Sequence, residues 1–349
     1  MLKEEFQKEI EILRTKLAQE KLERAQLLSE RGVERFEAEK YEEAIKDLEE
    51  AIKILPEGSE AFVLVFFNLA TALAKFPRGE REENLKRAIE SYKKILSFYT
   101  IEKAPERYAS TQNNLGNAYR SLSEVRDKES NLGQAINAYN EALRVYTLER
   151  FPQYYAMPQN NLGNAYGGLS EVRDKESNLG RAITAYNEAL RVCTLERFPQ
   201  DYAMTQNNLG NAYSGLSEVR DKESNLGQAI TAYNEALRVR TLERFPQDYA
   251  MTQNNLGAAY NRLSEVRDKE SNLGRAITAY NEALGVYTKE SFPWYFVETS
   301  WNLALALYKK GDLTGALRVM EGMLPVAEGE GHPYIGTFRQ FYEGLKSGR

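Results

Sequence analysis

Apolar and polar positions alternate with helical spacing along almost the whole chain. Between Tyr108 and Pro152 the order is YASTQNNLGNAYRSLSEVRDKESNLGQAINAYNEALRVYTLERFP. Leu115, Tyr119 and Leu122 follow at steps of four and three residues, one face of a helix. Ala135, Ile136, Tyr139, Ala142 and Leu143 form a second such face. The polar run RDKES between them reads as a solvated turn, so the stretch predicts a helix–turn–helix. The stretch then returns. Leu115 recurs as Leu162, Leu209 and Leu256 at a constant step of 47 residues. The same step reaches Leu303 in a diverged copy, WNLALALY, and a step of 46 leads back to Leu69 in FNLATALA. Such a period predicts stacked repeats, because one hairpin cannot bury its apolar face alone.

The pattern divides the chain. Residues 1–24 are expected to form a lead-in helix packed on the first repeat, with Leu2, Phe6, Ile10, Leu13 and Leu17 as one apolar stripe. The repeats are expected at about 25–58, 59–104, 105–151, 152–198, 199–245, 246–292 and 293–327. Pro77 and Gly79 are expected to break the first helix of the second repeat. Residues 328–349 are expected to hold a capping helix and tail carrying Ile335, Phe338, Phe341, Tyr342 and Leu345. In the long copies, Gly116 and Ala135 are 19 positions apart, against 12 for Gly32 and Ala44. These additional residues are expected to lengthen the first helix of the hairpin, helix A, toward Val125. Asn131 is expected to cap the second, helix B, with Gln134 three residues on as in a capping box. The rest of the insertion is expected to extend helix B through Tyr146 or Leu148. Pro152 then suits the first turn of the next helix A.

The order Leu115-Gly116-x-x-Tyr119, followed by Ala135, Tyr139 and Ala142, resembles the tetratricopeptide repeat. The shorter form of that motif is present as Gly32, Tyr41, Ala44, Ile45, Ala51 and Pro56, and again as Ala304, Gly311 and Ala316. The resemblance covers roughly residues 25–327, and the long helices resemble the kinesin light chain subtype. It implies an all-α, right-handed superhelix (an α-solenoid) of about seven repeats. It also implies a non-enzymatic scaffold that binds a protein or an extended peptide on a concave surface lined by the A helices.

Those A helices are rich in asparagine. Asn113, Asn114 and Asn117 recur as Asn160, Asn161 and Asn164, then as Asn207, Asn208 and Asn211. The next copies keep Asn254, Asn255 and Asn302. Positions three apart share a helix face. An amide both donates and accepts, as an extended backbone does. The asparagine before each leucine looks like the ladder residue of O-GlcNAc transferase and kinesin light chain repeats. By that resemblance the peptide-binding candidates are Asn114, Asn161, Asn208, Asn255 and Asn302, with Asn117, Asn164 and Asn211 beside them. Asn113, Asn160, Asn207 and Asn254 complete the set, because which member of each pair faces inward stays open. An amide that bonds the neighbouring helix fits the same spacing. Met157, Met204 and Met251 precede the pairs and offer adaptable apolar contacts or packing between repeats. Arg120, Gly167, Ser214 and Asn261 share one variable position, and Ser121, Gly168, Gly215 and Arg262 the next.

Composition narrows the chemistry. Among 349 residues the net charge is −5, which does not favour nucleic acid as a partner. One cysteine excludes an internal disulfide, and no stretch is apolar enough for a membrane span or a secretory signal. A cytoplasmic location is expected. The single histidine, His332, and the single cysteine, Cys193, lie repeats apart, so neither a Cys–His pair nor metal-ligand spacing exists. No phosphate-binding loop is present. Catalytic residues, metal and cofactors are therefore expected to be absent. Two further readings stand beside the scaffold: a homo-oligomer formed through the N-terminal stripe, and a sensor subunit for a separate effector.

Overall fold

The computed structural model describes residues 2–77 and 80–347, with side chains from Gln7 onward. Gly79 of the expected break, and the side chains of Leu2 and Phe6, lie outside the described residues. The described residues form fifteen helices and no strand. The first eight are α1 (Leu2–Glu37), α2 (Tyr41–Ile54), α3 (Glu60–Lys75), α4 (Arg81–Phe98), α5 (Pro105–Ser123), α6 (Lys128–Leu143), α7 (Pro152–Leu169) and α8 (Lys175–Leu190). Then come α9 (Pro199–Leu216), α10 (Lys222–Leu237), α11 (Pro246–Leu263), α12 (Lys269–Leu284), α13 (Pro293–Lys310), α14 (Leu313–Gly329) and α15 (Ile335–Lys346). The chain forms two compact units, residues 1–165 and 166–349, which meet within α7.

From α1 to α6 and from α8 to α15 each helix packs on the next one in sequence, and A helices of successive hairpins also touch: α3 with α5, α9 with α11, α11 with α13. The small residues make the hairpins tight. Ala135, Ala142, Ala229 and Ala236 are fully buried. A methyl group placed on Gly116 would lie 2.5 Å from the Tyr139 ring, and one on Gly210 would lie 2.6 Å from Tyr233. Gly116, Gly210 and Gly257 are thus the sockets for Tyr139, Tyr233 and Tyr280 of helix B. At the far end, Phe338 of α15 is buried with Trp301, Met320 and Phe341.

Three sequence expectations are revised. First, the additional residues after Gly116 go mostly to helix B. Compared with the first hairpin, two extend helix A, one extends the turn and four extend the start of helix B. Val125 falls outside α5 and is exposed. The turn forms because Asp127, Asp174, Asp221 and Asp268 adopt left-handed φ values of 45, 45, 40 and 40°. Aspartate is among the few non-glycine residues that enter this region readily. Asn131 is not the cap: it lies one turn inside α6 and donates Nδ2 to the Arg126 carbonyl at 2.9 Å. Asn178, Asn225 and Asn272 repeat that bond at 2.9, 2.7 and 2.8 Å.

Second, helix B stops at Leu143, short of Tyr146. Val145 and Tyr146 turn inward and are buried. The Tyr146 ring stacks on Tyr154 at 5.3 Å, and its hydroxyl donates to the Glu106 carbonyl at 3.0 Å. Burying that ring requires leaving the helix. Third, no separate lead-in helix exists, because α1 runs unbroken to Glu37. Among residues 7–24 every side chain is exposed except the half-buried Ile10; burial begins at Ala25. The expected packing on the first repeat is absent, because the first hairpin only starts to cover α1 at Ala25 and Leu28.

Ion pairs join successive repeats along the turns. Glu265 accepts from Lys222 Nζ and Lys309 Nζ, both at 2.7 Å, so three hairpins share one carboxylate. Bonds from Lys222 and then Lys309 hold its pKa down to about 2. A depressed folded-state value contributes stability above the unfolded pKa near 4.5, and this is lost as pH falls toward 2. The group is 43% exposed, so the contribution is at most about 1 kcal/mol. Glu265→Gln is expected to cost that amount at pH 7 and nothing at pH 2, with 0.5 M salt (about a 4 Å screening length) reducing the difference. Thermal melts of both proteins at the two pH values check this; an equal deficit at both would refute it.

Candidate functional site

The asparagine stripe sits on α5 and α7 in the first unit and on α9, α11 and α13 in the second. Proline opens each of these helices, and on α5, α9 and α11 the glycine after the stripe leucine sets the helix against Tyr139, Tyr233 and Tyr280. The two members of each pair have different surroundings. Asn113, Asn160 and Asn207 are 1%, 5% and 2% exposed. They turn about 100° from the stripe into the packing between hairpins. Burial removes these three from the ligand-facing candidates. Asn254 is half-buried, and its Oδ1 is buried without a partner.

The second members, Asn114, Asn161, Asn208, Asn255 and Asn302, are half-buried, as are Asn117 and Asn164; Asn211 is exposed. A stripe of four positions at spacings of 4, 3 and 4 emerges on each helix. In the second unit it reads Met204, Asn208, Asn211, Gly215 on α9 and Met251, Asn255, Ala258, Arg262 on α11. On α13 it reads Glu298, Asn302, Leu305, Lys309. Met204 and Met251 are 38% and 37% exposed. In the first unit Met157 of α7 stands in the same relation to Asn161 and is also exposed.

Hydrogen bonds orient these amides. Tyr139 Oη donates to Asn117 Oδ1, and Tyr233 Oη to Asn211 Oδ1, both at 2.8 Å. Asn161 Nδ2 donates across to Asn113 Oδ1 at 3.1 Å. Asn255 Nδ2 donates to Asn211 Oδ1 at 3.2 Å, with Asn207 Oδ1 at 3.5 Å. Both lone pairs of Asn211 Oδ1 are therefore engaged. These bonds use the carbonyl oxygen of Asn211 and the amino group of Asn255, and leave the Asn211 amino group and the Asn255 carbonyl oxygen to other partners. Tyrosine as the orienting partner was not read from sequence; a tyrosine at a fixed distance from each Asn was its only signal.

The variable positions split. Arg262 is held by Ser214 Oγ at 3.1 Å, Ser217 Oγ at 2.9 Å and Glu218 at 3.2 Å. Lys309 donates to Asn261 Oδ1 at 3.2 Å. Both thus join hairpins rather than standing free. Cys193 is buried, and burial pushes its thiol up to about 11, so it stays protonated at neutral pH. His332 is buried between Trp294 and Phe338, at ring distances of 4.5 and 5.0 Å. Among the described residues no group of three or more His, Cys, Asp or Glu is placed to hold a metal ion. Nor is any helix long and apolar enough to cross a membrane.

Helical hairpins stacked in sequence order, three of them locked by a glycine–tyrosine contact, define a helical-repeat protein. Residues 250–292 match the tetratricopeptide repeat family, and the fold of the chain is that of a tetratricopeptide-repeat solenoid. Among curated proteins none matches it. Solved structures share its fold at low identity. One is a signal-transduction ATPase with numerous domains, carrying a tetratricopeptide repeat sensor, from Pyrococcus horikoshii. It is 16% identical with a TM-score of 0.64, over 90% of this chain and 44% of that one. The apo form of RapI is 15% identical with a TM-score of 0.61, over 92% and 81%. A tetratricopeptide repeat protein from Parabacteroides merdae is 14% identical with a TM-score of 0.54, over 93% and 99%.

Proposed function

We propose that this chain is a protein-interaction scaffold that holds an extended peptide against the asparagine stripes of its A helices. The observation that carries the reading is the oriented pair on α9 and α11. The amino group of Asn211 and the carbonyl oxygen of Asn255, which those bonds leave over, match the alternating C=O and N–H groups of an extended backbone. Met204 and Met251 add apolar surface one turn away on each helix, and methionine adapts to varied side chains. The surface thus grips main chain and accepts many sequences. The kinesin-light-chain likeness of the long repeats points the same way. A sensor role, as the repeats of the archaeal ATPase are described, would use the same surface and add a separate effector.

The test uses peptides selected on the full chain from a random displayed library. Asn211→Ala and Asn255→Ala are each expected to weaken the selected peptide by about 0.5–1.5 kcal/mol. Because the amides are neutral, affinity should change little between low and high salt. Isothermal titration measures both effects, with circular dichroism confirming the fold. Undiminished binding by a folded double variant would place the peptide elsewhere.

A further inference from the structure

Residues 7–24 of α1 run ahead of the first hairpin, and the Arg24–Glu50 ion pair ties their last turn to α2. Every side chain there is exposed except the half-buried Ile10. An isolated helix of this length is marginal in water. Yet Ile10, Leu13 and Leu17 keep steps of three and four, and Leu13 and Leu17 are 61% and 52% exposed. Two steps of this kind make a seam as narrow as the a/d seam of a coiled coil, not the broad face that packs on a globular core. Ile12 stands off this seam.

We propose that the seam is covered by the same seam of a second copy of this chain, with the two helices antiparallel. The charges choose both the occupant and the direction. Setting Ile10 opposite Leu13 of the second copy sets Leu13 opposite its Ile10. The flanks then bring Glu9 beside Lys16 of the other helix, twice by symmetry. A parallel pair in register instead stacks Glu20 on Glu20 along the seam and places Lys16 beside Lys21, so that its one attraction, Glu9 beside Arg14, is offset. Like charges at these positions oppose pairing, and opposite charges select partner and orientation. The inference is independent of the peptide surface, which begins at α5.

Sedimentation velocity on the full chain over a micromolar dilution series tests it. The expected result is a reversible shift toward twice the 39.9 kDa chain mass. Leu13→Asp with Leu17→Asp should give a monomer whose thermal melt is unchanged, because these side chains touch no part of the body. Glu9→Lys should raise the dissociation constant about tenfold, and adding Lys16→Glu in the same chain should restore it. Cysteine cross-linking fixes direction, with the native Cys193 buried. An Ile10→Cys chain mixed with a Leu13→Cys chain should cross-link on oxidation, and the Ile10→Cys chain alone should not. A monomer at every concentration overturns the proposal. So does self-cross-linking of the Ile10→Cys chain in preference to the mixture, which would mean a parallel pair.

Discussion

Tyr233→Ala is expected to lower the stability of the second unit by about 3–5 kcal/mol, the range for removing a large buried aromatic side chain. Tyr233 is 2% exposed and belongs to a cluster with Leu226, Ala229, Leu256, Ala259, Leu263 and Ala279. That cluster draws on α10, α11 and α12, so the ring serves its own hairpin and the contact to the next one. In a stacked array, losing a residue that serves both terms weakens the intrinsic stability of one repeat and its coupling to a neighbour together. The space cannot collapse easily, since Gly210 on the facing helix has no side chain to fill it. Tyr233→Phe separates packing from anchoring. It keeps the ring and removes only the hydroxyl that Asn211 Oδ1 accepts, so it should cost about 1 kcal/mol. On the proposed function it should also loosen the Asn211 amide and weaken a peptide held at the asparagine stripe, with a far smaller change in the melt than the alanine variant. Urea unfolding by circular dichroism reads the first effect and peptide titration the second. A loss below about 1 kcal/mol for the alanine variant would show that the ring is not the keystone of its hairpin.

The hairpin architecture was legible because its signal is redundant. The 47-residue step, the Leu-Gly-x-x-Tyr order and the buried alanines all state the same geometry. What stayed illegible was where polar residues place the chain. Asn131 and Asp127 both suit a helix start, and only the left-handed backbone at Asp127 decides between them. Tyr146 continues a helical spacing, yet its ring is better buried off the helix, against Tyr154. Asn113 and Asn114 are adjacent and identical, so spacing alone cannot say which is buried. The answer lies in Asn161 reaching back to Asn113, 48 residues earlier in the preceding copy. The stripe on α1 was legible as a stripe but not as an open one, because periodicity reports an apolar face and not what covers it.

Glycine supplies a second large effect, with opposite signs at two positions of the same repeat. Gly210→Ala would set a methyl group 2.6, 2.7 and 2.9 Å from three atoms of the Tyr233 ring. The ring is fully packed, so it cannot swing aside, and overpacking of this kind costs about 1–3 kcal/mol. Alanine's helix preference offsets roughly 1 kcal/mol of that. Gly227 lies 17 residues on, in α10, with nothing within 4 Å of the added methyl group. Gly133 and Gly180 are equally open in their own helices. At these sites the helix preference acts alone, and each alanine should add about 0.5–1 kcal/mol. The three open sites lie on separate hairpins without shared partners, so their gains should sum to about 1.5–3 kcal/mol. Gly116, Gly210 and Gly257 changed together should instead unfold at markedly lower urea concentration. If both triple variants moved the midpoint in the same direction, Gly116, Gly210 and Gly257 would not be sockets for tyrosine. The oriented amide at Asn211, one residue beyond Gly210 and bonded to that same tyrosine, would then lose its structural basis.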